Sequence, residues 1–501
     1  MNKLFKFTAT SLLVCGLSIG LPLQADTITA TTNKVALIKT SSHTDVLSFT
    51  VQHSINGGEQ FPGETIDIPL NQFKKNPLVF LKTLKAHFSK LLEKQSLPVE
   101  IDSKLDFVLS AEAIDALGKL PSITIKTSVN SNGSGKSDLV FPAYLRQVPE
   151  KVGKGLIDWK GLDAQFTFAD KFENLNATVN IIGLFLEVED KMKLVLGNSH
   201  FSGSFDSQFI PTQLDLNLNL PSLKTRDYKH TLDLHDLLFK LTLNKSQNGL
   251  ELGSMGFQFR QLEFFDIKKA FKSTVKGFSI SAKGEEQKGL VNYKLTTKID
   301  KLQAPGIVSI GDNSKSDGFV AEISFSNLDE ATLLAFKKNA LALKSNPQMA
   351  IMLLMENSSQ ILAQSPKIGI ALKADSSQGN FDGDVNITLS GKEITSLNIP
   401  ALIALLQANA NINISKSLLA KIVEAQILKK MQKSIADENK TLSKEELAFL
   451  TKQAKQASQQ QLQMFVGMKF LIDSGDGNYR LSAKFKDKKL NLNGKDMPFK
   501  F

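Results

Sequence analysis

Cysteine is almost absent. Cys15 is the only one, and it lies in a segment expected to be removed, which leaves the mature chain without a disulfide or a thiolate metal site. Leu13-Val14-Cys15-Gly16 has the outline of a lipidation box. Bulky Val14 stands where a small residue is required, so lipid attachment is rejected. Arginine is scarce too, confined to Arg146, Arg226, Arg260 and Arg480. Nucleic-acid readers favour the bidentate arginine fork, and no basic block is interleaved with aromatics, so no nucleic-acid partner is expected. One Trp and four Tyr are too few for the aromatic girdles of a membrane barrel. A terminal barrel strand would also be broken by Asn493-Gly494 and Pro498. Phe499 and Phe501 therefore read as packing residues.

Catalytic signatures are missing as well. Neither Gly-x-Ser-x-Gly nor His-Glu-x-x-His occurs. Gly135-Lys136-Ser137 ends no phosphate loop, because Asn130 stands where the first glycine is needed. His230 and His235 are an odd number of residues apart, which on a strand puts them on opposite faces, a poor arrangement for one metal. Glu187 and Glu189 continue into Lys191 and Lys193, a charge ladder on a wet face. The sequence is thus expected to encode no enzyme, catalytic residue, metal site or cofactor; only a triad assembled from distant residues escapes such a search.

What is present is alternation. From Leu162 to Leu302 apolar residues fall on every second position: Leu214, Leu216, Leu218 and Leu220, then Phe257 and Phe259, then Phe278 and Ile280. Each segment predicts a strand with one apolar and one wet face. A second extended field covers Phe319–Phe325, Ile368–Ala374 and Asn380–Leu389. Helical spacing appears over Asn71–Gln95, near Ala111–Lys119, over Pro142–Lys154, and in a short crossing at Asp266–Lys272. It returns over Leu328–Leu343, Pro347–Leu362, Pro400–Leu406, Lys416–Lys433 behind a Ser415 cap, and from the Ser443-Lys444-Glu445-Glu446 capping box to about Met464. The chain ends in a hairpin of Met468–Ile472 and Tyr479–Lys484 and a last strand, Leu490–Leu492. The predicted class is α+β: a long curved antiparallel sheet with amphipathic helices on its apolar face, concentrated in the C-terminal third. The segments are 1–25, a signal; 26–160, mixed α+β; 161–327, the ladder; 328–466, rich in helix; and 467–501, the terminal hairpin and strand.

Lys3 and Lys6 precede the uncharged run Thr8–Leu23, and Leu23-Gln24-Ala25 offers a small residue at a cut between Ala25 and Asp26. An exported, periplasmic protein is expected; an uncleaved inner-membrane anchor is the alternative. Net charge falls from +10 to +8 when Lys3 and Lys6 leave. This lysine excess suits loose attraction to anionic headgroups. If the helices cover the sheet incompletely, Leu214, Leu216, Leu218, Phe257, Phe259, Met349, Met352 and Met355 line a groove suited to acyl chains. A closed core is the competing arrangement. The functional expectation is a non-enzymatic scaffold handling lipid or another hydrophobic ligand, or meeting an envelope protein. A secreted interaction factor, adhesin-like or host-directed, fits the same composition.

The C-terminal block carries a resemblance. An amphipathic helical pair, Gly467 before a strand, Tyr479 within the next, and then Leu490, Leu492, Asn493 and Gly494 are similar to the end of the YdgA-like family of bacterial envelope proteins. Membership implies an envelope location and brings no catalytic residues, since that domain has no known function.

Overall fold

The computed structural model describes residues 46–69, 71–72, 78–169, 173–207, 210–268, 270–304, 318–339, 346–390, 403–436 and 443–497. The expected cleavage site at Ala25 and Asp26 lies outside them, as do Phe499 and Phe501. Most of the structure is long antiparallel sheet, with helices mainly in the C-terminal part. Two compact units divide the chain: Met1–Lys245 with Asp266–Lys269, and Ser246–Phe265 with Ala270–Phe501.

Strands of the first unit are β1 (Val46–Ile55), β2 (Glu64–Pro69), β3 (Val99–Val108), β4 (Ile123–Val129), β5 (Gly135–Phe141) and β6 (Tyr144–Val148). They continue as β7 (Gly155–Ala169), β8 (Glu173–Val188), β9 (Met192–Leu196), β10 (Ser199–Phe205), β11 (Pro211–Arg226) and β12 (His230–Lys245). All pair antiparallel, mostly with sequence neighbours. β1 lies between β2 and β3. β5 and β6 share β7, taking its second and first halves. β9 and β10 likewise divide the space between β8 and β11. The long ladder therefore begins at Gly155, seven residues before Leu162. A register shift at Gly161, held at φ 119°, explains why the parity signal starts late. Ile157 and Trp159 point inward ahead of the bulge, and Leu162, Ala164 and Phe166 point inward after it. Without the extra residue one half of β7 would turn its apolar side to water.

Two helices flank this sheet. α1 (Leu78–Leu92) buries Leu84, Phe88 and Leu92, each worth roughly 2 kcal/mol in removed apolar surface. α2 (Ala111–Leu117) is capped by Ser110, whose hydroxyl accepts the Ala113 N–H at 3.2 Å. The expected helix over Pro142–Lys154 is not formed. Tyr144–Val148 is strand β6, and only Glu150–Val152 makes a 3₁₀ turn. Pro149 disfavours helical geometry in the residue before it, and β7 supplies a ladder partner instead. The crossing at Asp266–Lys272 is also no helix: β13 runs to Asp266, whose carboxylate accepts the Lys268 N–H at 3.0 Å, and the next strand starts at Phe271.

The second unit contains β13 (Glu251–Asp266), β14 (Phe271–Gln287), β15 (Leu290–Ile299), β16 (Lys301–Gln303), β17 (Phe319–Asp329), β18 (Lys367–Ser376) and β19 (Gly379–Leu389). β20 (Leu406–Ser415), β21 (Ile472–Asp473), β22 (Asn478–Lys486), β23 (Lys489–Leu492) and β24 (Lys495–Met497) complete it. The spatial order from β14 is β15, β17, β18, β19, β20, β22, β23, β24, every pair antiparallel. Helices interrupt this meander twice. α3 (Glu330–Lys338), α4 (Pro347–Glu356) and α5 (Ser358–Ala363) join β17 to β18 at one end of the sheet. α6 (Lys416–Ala436) and α7 (Lys444–Gly467) join β20 to β22 at the other.

Local chemistry sets the helix ends. Asp329 caps α3, accepting the Thr332 N–H at 2.8 Å. The single helix expected over Pro347–Leu362 is broken at Asn357, whose side chain donates back to the Leu353 carbonyl at 2.8 Å. Ser443 and Glu446 form the expected capping box of α7. Ser415 takes another role: its hydroxyl accepts the Asn380 N–H at 2.9 Å and meets the Asn478 side chain, tying β19 and β22 to β20. Pro400 lies outside the described residues; residues 403–405 are helical and the strand starts at Leu406. Of Met468–Ile472 only Ile472 is in a strand, because the backbone N–H groups of Met468 and Lys469 still close the last turn of α7.

α3 is clamped by a buried carboxylate. Glu330, only 3 % exposed, accepts hydrogen bonds from the Ser246 hydroxyl and from Asn248 Nδ2, the latter at 2.8 Å. Glu330→Ala strands both donors and is expected to cost about 2 kcal/mol, while Glu330→Gln, which keeps an acceptor oxygen, costs less. Urea unfolding of the two variants measures this; equal losses would remove the clamp from the account.

Candidate functional site

Burial differs between the two units. In the first, the inward positions are closed: Val51 is 0 % exposed, Ile101 1 % and Leu105 0 %. In the second, equivalent positions on the sheet stay open. One apolar row crosses seven strands: Leu295, Ile323, Ile370, Val385, Ala410, Ala483 and Leu492. A parallel row holds Tyr293, Phe325, Ile368, Ile387, Ala408, Phe485 and Leu490. Leu295 is 39 % exposed, Phe325 40 %, Ile368 37 %, Ile370 36 % and Leu372 37 %. The opposite face is wet. Lys294 pairs with Glu322 at 2.8 Å, Lys373 with Asp382 at 3.4 Å, and Ser482 donates to Asn411 at 3.1 Å.

Among the described residues, burial in this unit is concentrated where helices meet the sheet. Val291, Glu330, Ser358 and Leu362 are buried at one end, and Ile414 and Leu418 at the other. α6 and α7 bury Ala454, Ser458 and Leu462, and the Ser458 hydroxyl donates to the Ala420 carbonyl at 3.0 Å. The middle of the apolar face is left accessible. Apart from the Tyr293 hydroxyl, the side chains of these two rows are aliphatic or phenyl and offer no hydrogen-bonding group.

The residues expected to line a groove are dispersed. Leu214 and Leu216 are buried in the core of the first unit, at 4 % and 8 % exposure, and Leu218 packs against that core. They are corrected from groove to core: the strands before them supply enough apolar surface to close over both. Phe259 is buried and stacks on Phe278 at 4.9 Å, with Phe257 edge-on to Phe278 at 6.1 Å. Met349 is half-buried, whereas Met352 and Met355 are exposed at 59 % and 40 %. The C-terminal motif has a structural role. Asn493, at φ 51°, accepts the Ser482 N–H at 2.7 Å and donates to the Lys469 carbonyl at 2.9 Å, tying the end of α7 to the hairpin. Gly494 donates to Asn491 at 2.9 Å; Gly467 ends α7, and Tyr479, Leu490 and Leu492 are sheet residues.

A second cluster lies in the first unit, and sequence reasoning did not find it. His53 on β1 sits directly opposite Ser103 on β3. Its Nδ1 lies 2.8 Å from Ser103 Oγ and its Nε2 lies 2.7 Å from Nε2 of His87 on α1. His87 Nδ1 faces Glu64 at 3.6 Å. One proton arrangement satisfies the chain: Ser103 donates to His53, His53 donates to His87, and the remaining His87 N–H points to the carboxylate. Burial pulls His53 down to about 4, with the neighbouring His87 adding to the effect and Glu64 opposing it. Burial also lowers His87, opposed by Glu64 and helped by Lys90. Inward parity with Phe49 and Val51 was the available signal for His53; nothing local links it to a residue 34 positions later.

This array resembles a relay, but its serine is sealed. Ser103 is 4 % exposed and His53 5 %, so a substrate carbon does not reach the hydroxyl. Among the described residues, no three or more His, Cys, Asp or Glu side chains are grouped to hold a metal. His230 and His235 each lie against their own neighbour, Asp227 at 3.6 Å and Asp233 at 2.9 Å. Glu187 faces Lys193 across the β8–β9 hairpin, and Glu189 pairs with Lys154 at 2.8 Å. No described helix is long and apolar enough to cross a membrane.

The buried imidazole of His53 and the part-buried one of His87 make stability depend on pH. Below about 6.5 the unfolded chain binds protons that the folded pair resists, so stability is full above that pH and is lost as pH falls towards about 4. For His53 the loss is on the order of 3 kcal/mol. Urea melts at neutral pH and near pH 4.5 should show it, and the double substitution His53→Phe with His87→Leu should flatten it. An equal acid loss in that variant would place the sensitivity elsewhere.

No curated protein and no solved structure matches this chain. Residues 99–209 and 212–500 match the family described as "Bacterial protein of unknown function (DUF945)". That match takes in β3 to β24 and both helical interruptions. The chain belongs to this bacterial family of unknown function.

Proposed function

We propose that this is a non-enzymatic envelope protein of the YdgA-like type, exported to the periplasm, that handles lipid or a comparable long-chain hydrophobic ligand on the open apolar face of its second unit. One observation carries the reading: a seven-strand apolar ladder in which Leu295 on β15 and Ile368, Ile370 and Leu372 on β18 are more than a third exposed. Isolated exposed aliphatics are ordinary on protein surfaces; a contiguous field of them is not. The first unit supports the contrast, because its own inward residues are closed against one another and α1. The amino-terminal pattern of Lys3, Lys6, Thr8–Leu23 and Ala25 supports export.

The test is titration of the purified protein with a dansyl-labelled undecanoic acid. The expected result is saturable binding with a blue-shifted emission. Ile370→Glu with Leu372→Glu, both on exposed positions of β18, should weaken binding by about tenfold or more without changing the unfolding midpoint. Absence of saturable binding, or binding indifferent to these substitutions, overturns the reading. Fractionation of the producing cells tests the location, and recovery from the cytoplasm or from the medium would refute a periplasmic site.

A further inference from the structure

We infer that one end of the second unit, formed by α4 and the β22–β23 turn, docks on the surface of an anionic phospholipid bilayer. The inference rests on the acyl-chain reading above and names where such a chain would come from.

Topology brings the parts together. Register places Lys367 beside Thr388, and Thr388 beside Gln407. One position beyond the Ala408–Phe485 pair, Gln407 reaches the level of Lys486, which faces Lys489. This row runs along the sheet end from which α3, α4 and α5 depart between β17 and β18. The exposed side of α4 and the lysine row therefore share one end, with the α6–α7 pair at the other.

Their chemistry is that of an interfacial anchor. α4 has no charged residue before Glu356, and it exposes Met352 at 59 %, Leu354 at 39 % and Met355 at 40 %. Lys338, Lys367, Lys486, Lys488 and Lys489 are exposed, and among the described residues none of them has a carboxylate partner. In the same unit Lys294 is paired with Glu322, Lys337 with Glu251 and Lys373 with Asp382. Lys486 and Lys489 stand directly across from each other, an unfavourable like-charge pair that an anion between them would relieve. Edge protection does not account for Lys486, since β22 is flanked by β20 and β23. Apolar side chains entering the headgroup region beside cations that face anionic lipid are the usual composition of a peripheral membrane contact. Ile368 and Phe485 are the residues next to Lys367 and Lys486 in sequence, so the lysine row lies at the same end of the sheet as the last apolar row and on the opposite face. A lipid leaving a bilayer at this end reaches the apolar face around the end of the sheet.

The experiment is flotation of the full chain with vesicles of phosphatidylcholine alone or with one-third phosphatidylglycerol, at low and high salt. Binding to the anionic vesicles is expected to exceed binding to the neutral ones by about tenfold and to fall with salt. Lys486→Gln with Lys488→Gln and Lys489→Gln should abolish that preference, and Met352→Ser with Met355→Ser should weaken binding at both salt levels. Lys495→Glu, on β24 and away from this end at the level of Leu492 and Ala483, should leave it intact. No binding, equal binding to both vesicles, or a loss with Lys495→Glu as large as with the triple variant overturns the proposal. The dansyl-acid titration, run without vesicles, separates the two ideas: if the lysine variants keep full acyl binding while losing vesicle binding, docking and acyl handling are both upheld as distinct steps. If vesicle binding follows the pattern above and acyl binding is absent, docking stands and only the acyl-chain reading fails.

Discussion

Every buried backbone N–H and C=O must find a partner, and in this chain the antiparallel ladder between sequence neighbours supplies most of them. That pairing fixes everything downstream. It imposes a side-chain period of two, so each strand has two faces, and it aligns like faces of successive strands into continuous fields. In the second unit the long helices enter where the meander is interrupted, between β17 and β18 and between β20 and β22, and so they lie at the ends of its sheet. The apolar field between those ends follows from this placement.

The two units use the same ladder to different ends. In the first, aromatic and β-branched residues fill the inward face, and α1 adds Leu84, Phe88 and Leu92. The result is a closed core with polar inclusions, among them the His53–His87 pair and the Thr127–Ser137 hydroxyls. In the second, the inward rows are thinner: Ala408, Ala410 and Ala483 stand in the same rows as Ile370 and Ile387. Alanine leaves room above it that larger side chains would fill. The face is therefore shallow as well as open.

Strand alternation was legible in the sequence because it is local. Leu214 to Leu220, Phe278 to Ala282 and Ile368 to Ala374 all lie in strands on the expected parity, and the Ser443 capping box sits where its four residues place it. Errors arose where local pattern competed with a distant partner. Tyr144–Val148 has enough helical character to mislead, but the first half of β7 needed a neighbour. Ser415 is a good cap by type, and cross-strand amides took its hydroxyl instead. For the candidate sites the limit was sharper. Parity says which residues share a face but not whether anything covers it, so Leu216 and Ile370 read alike although one is buried and the other exposed. The His53–His87 contact joins a strand to a helix, and no spacing rule spans that separation.

The neighbour-to-neighbour order of the meander also bears on how the molecule forms. Loop closure is inexpensive when each strand pairs with the one just before it, and low contact order favours fast assembly by successive addition to an existing edge. The longest interruption in the second unit is at β20, which must hold its edge open until β22 arrives from beyond the α6–α7 pair. Helices form faster than strands pair, so α6 and α7 shorten that gap before the ladder closes. Ser415, at the last residue of β20, is bonded to both neighbouring strands at the point where α6 departs.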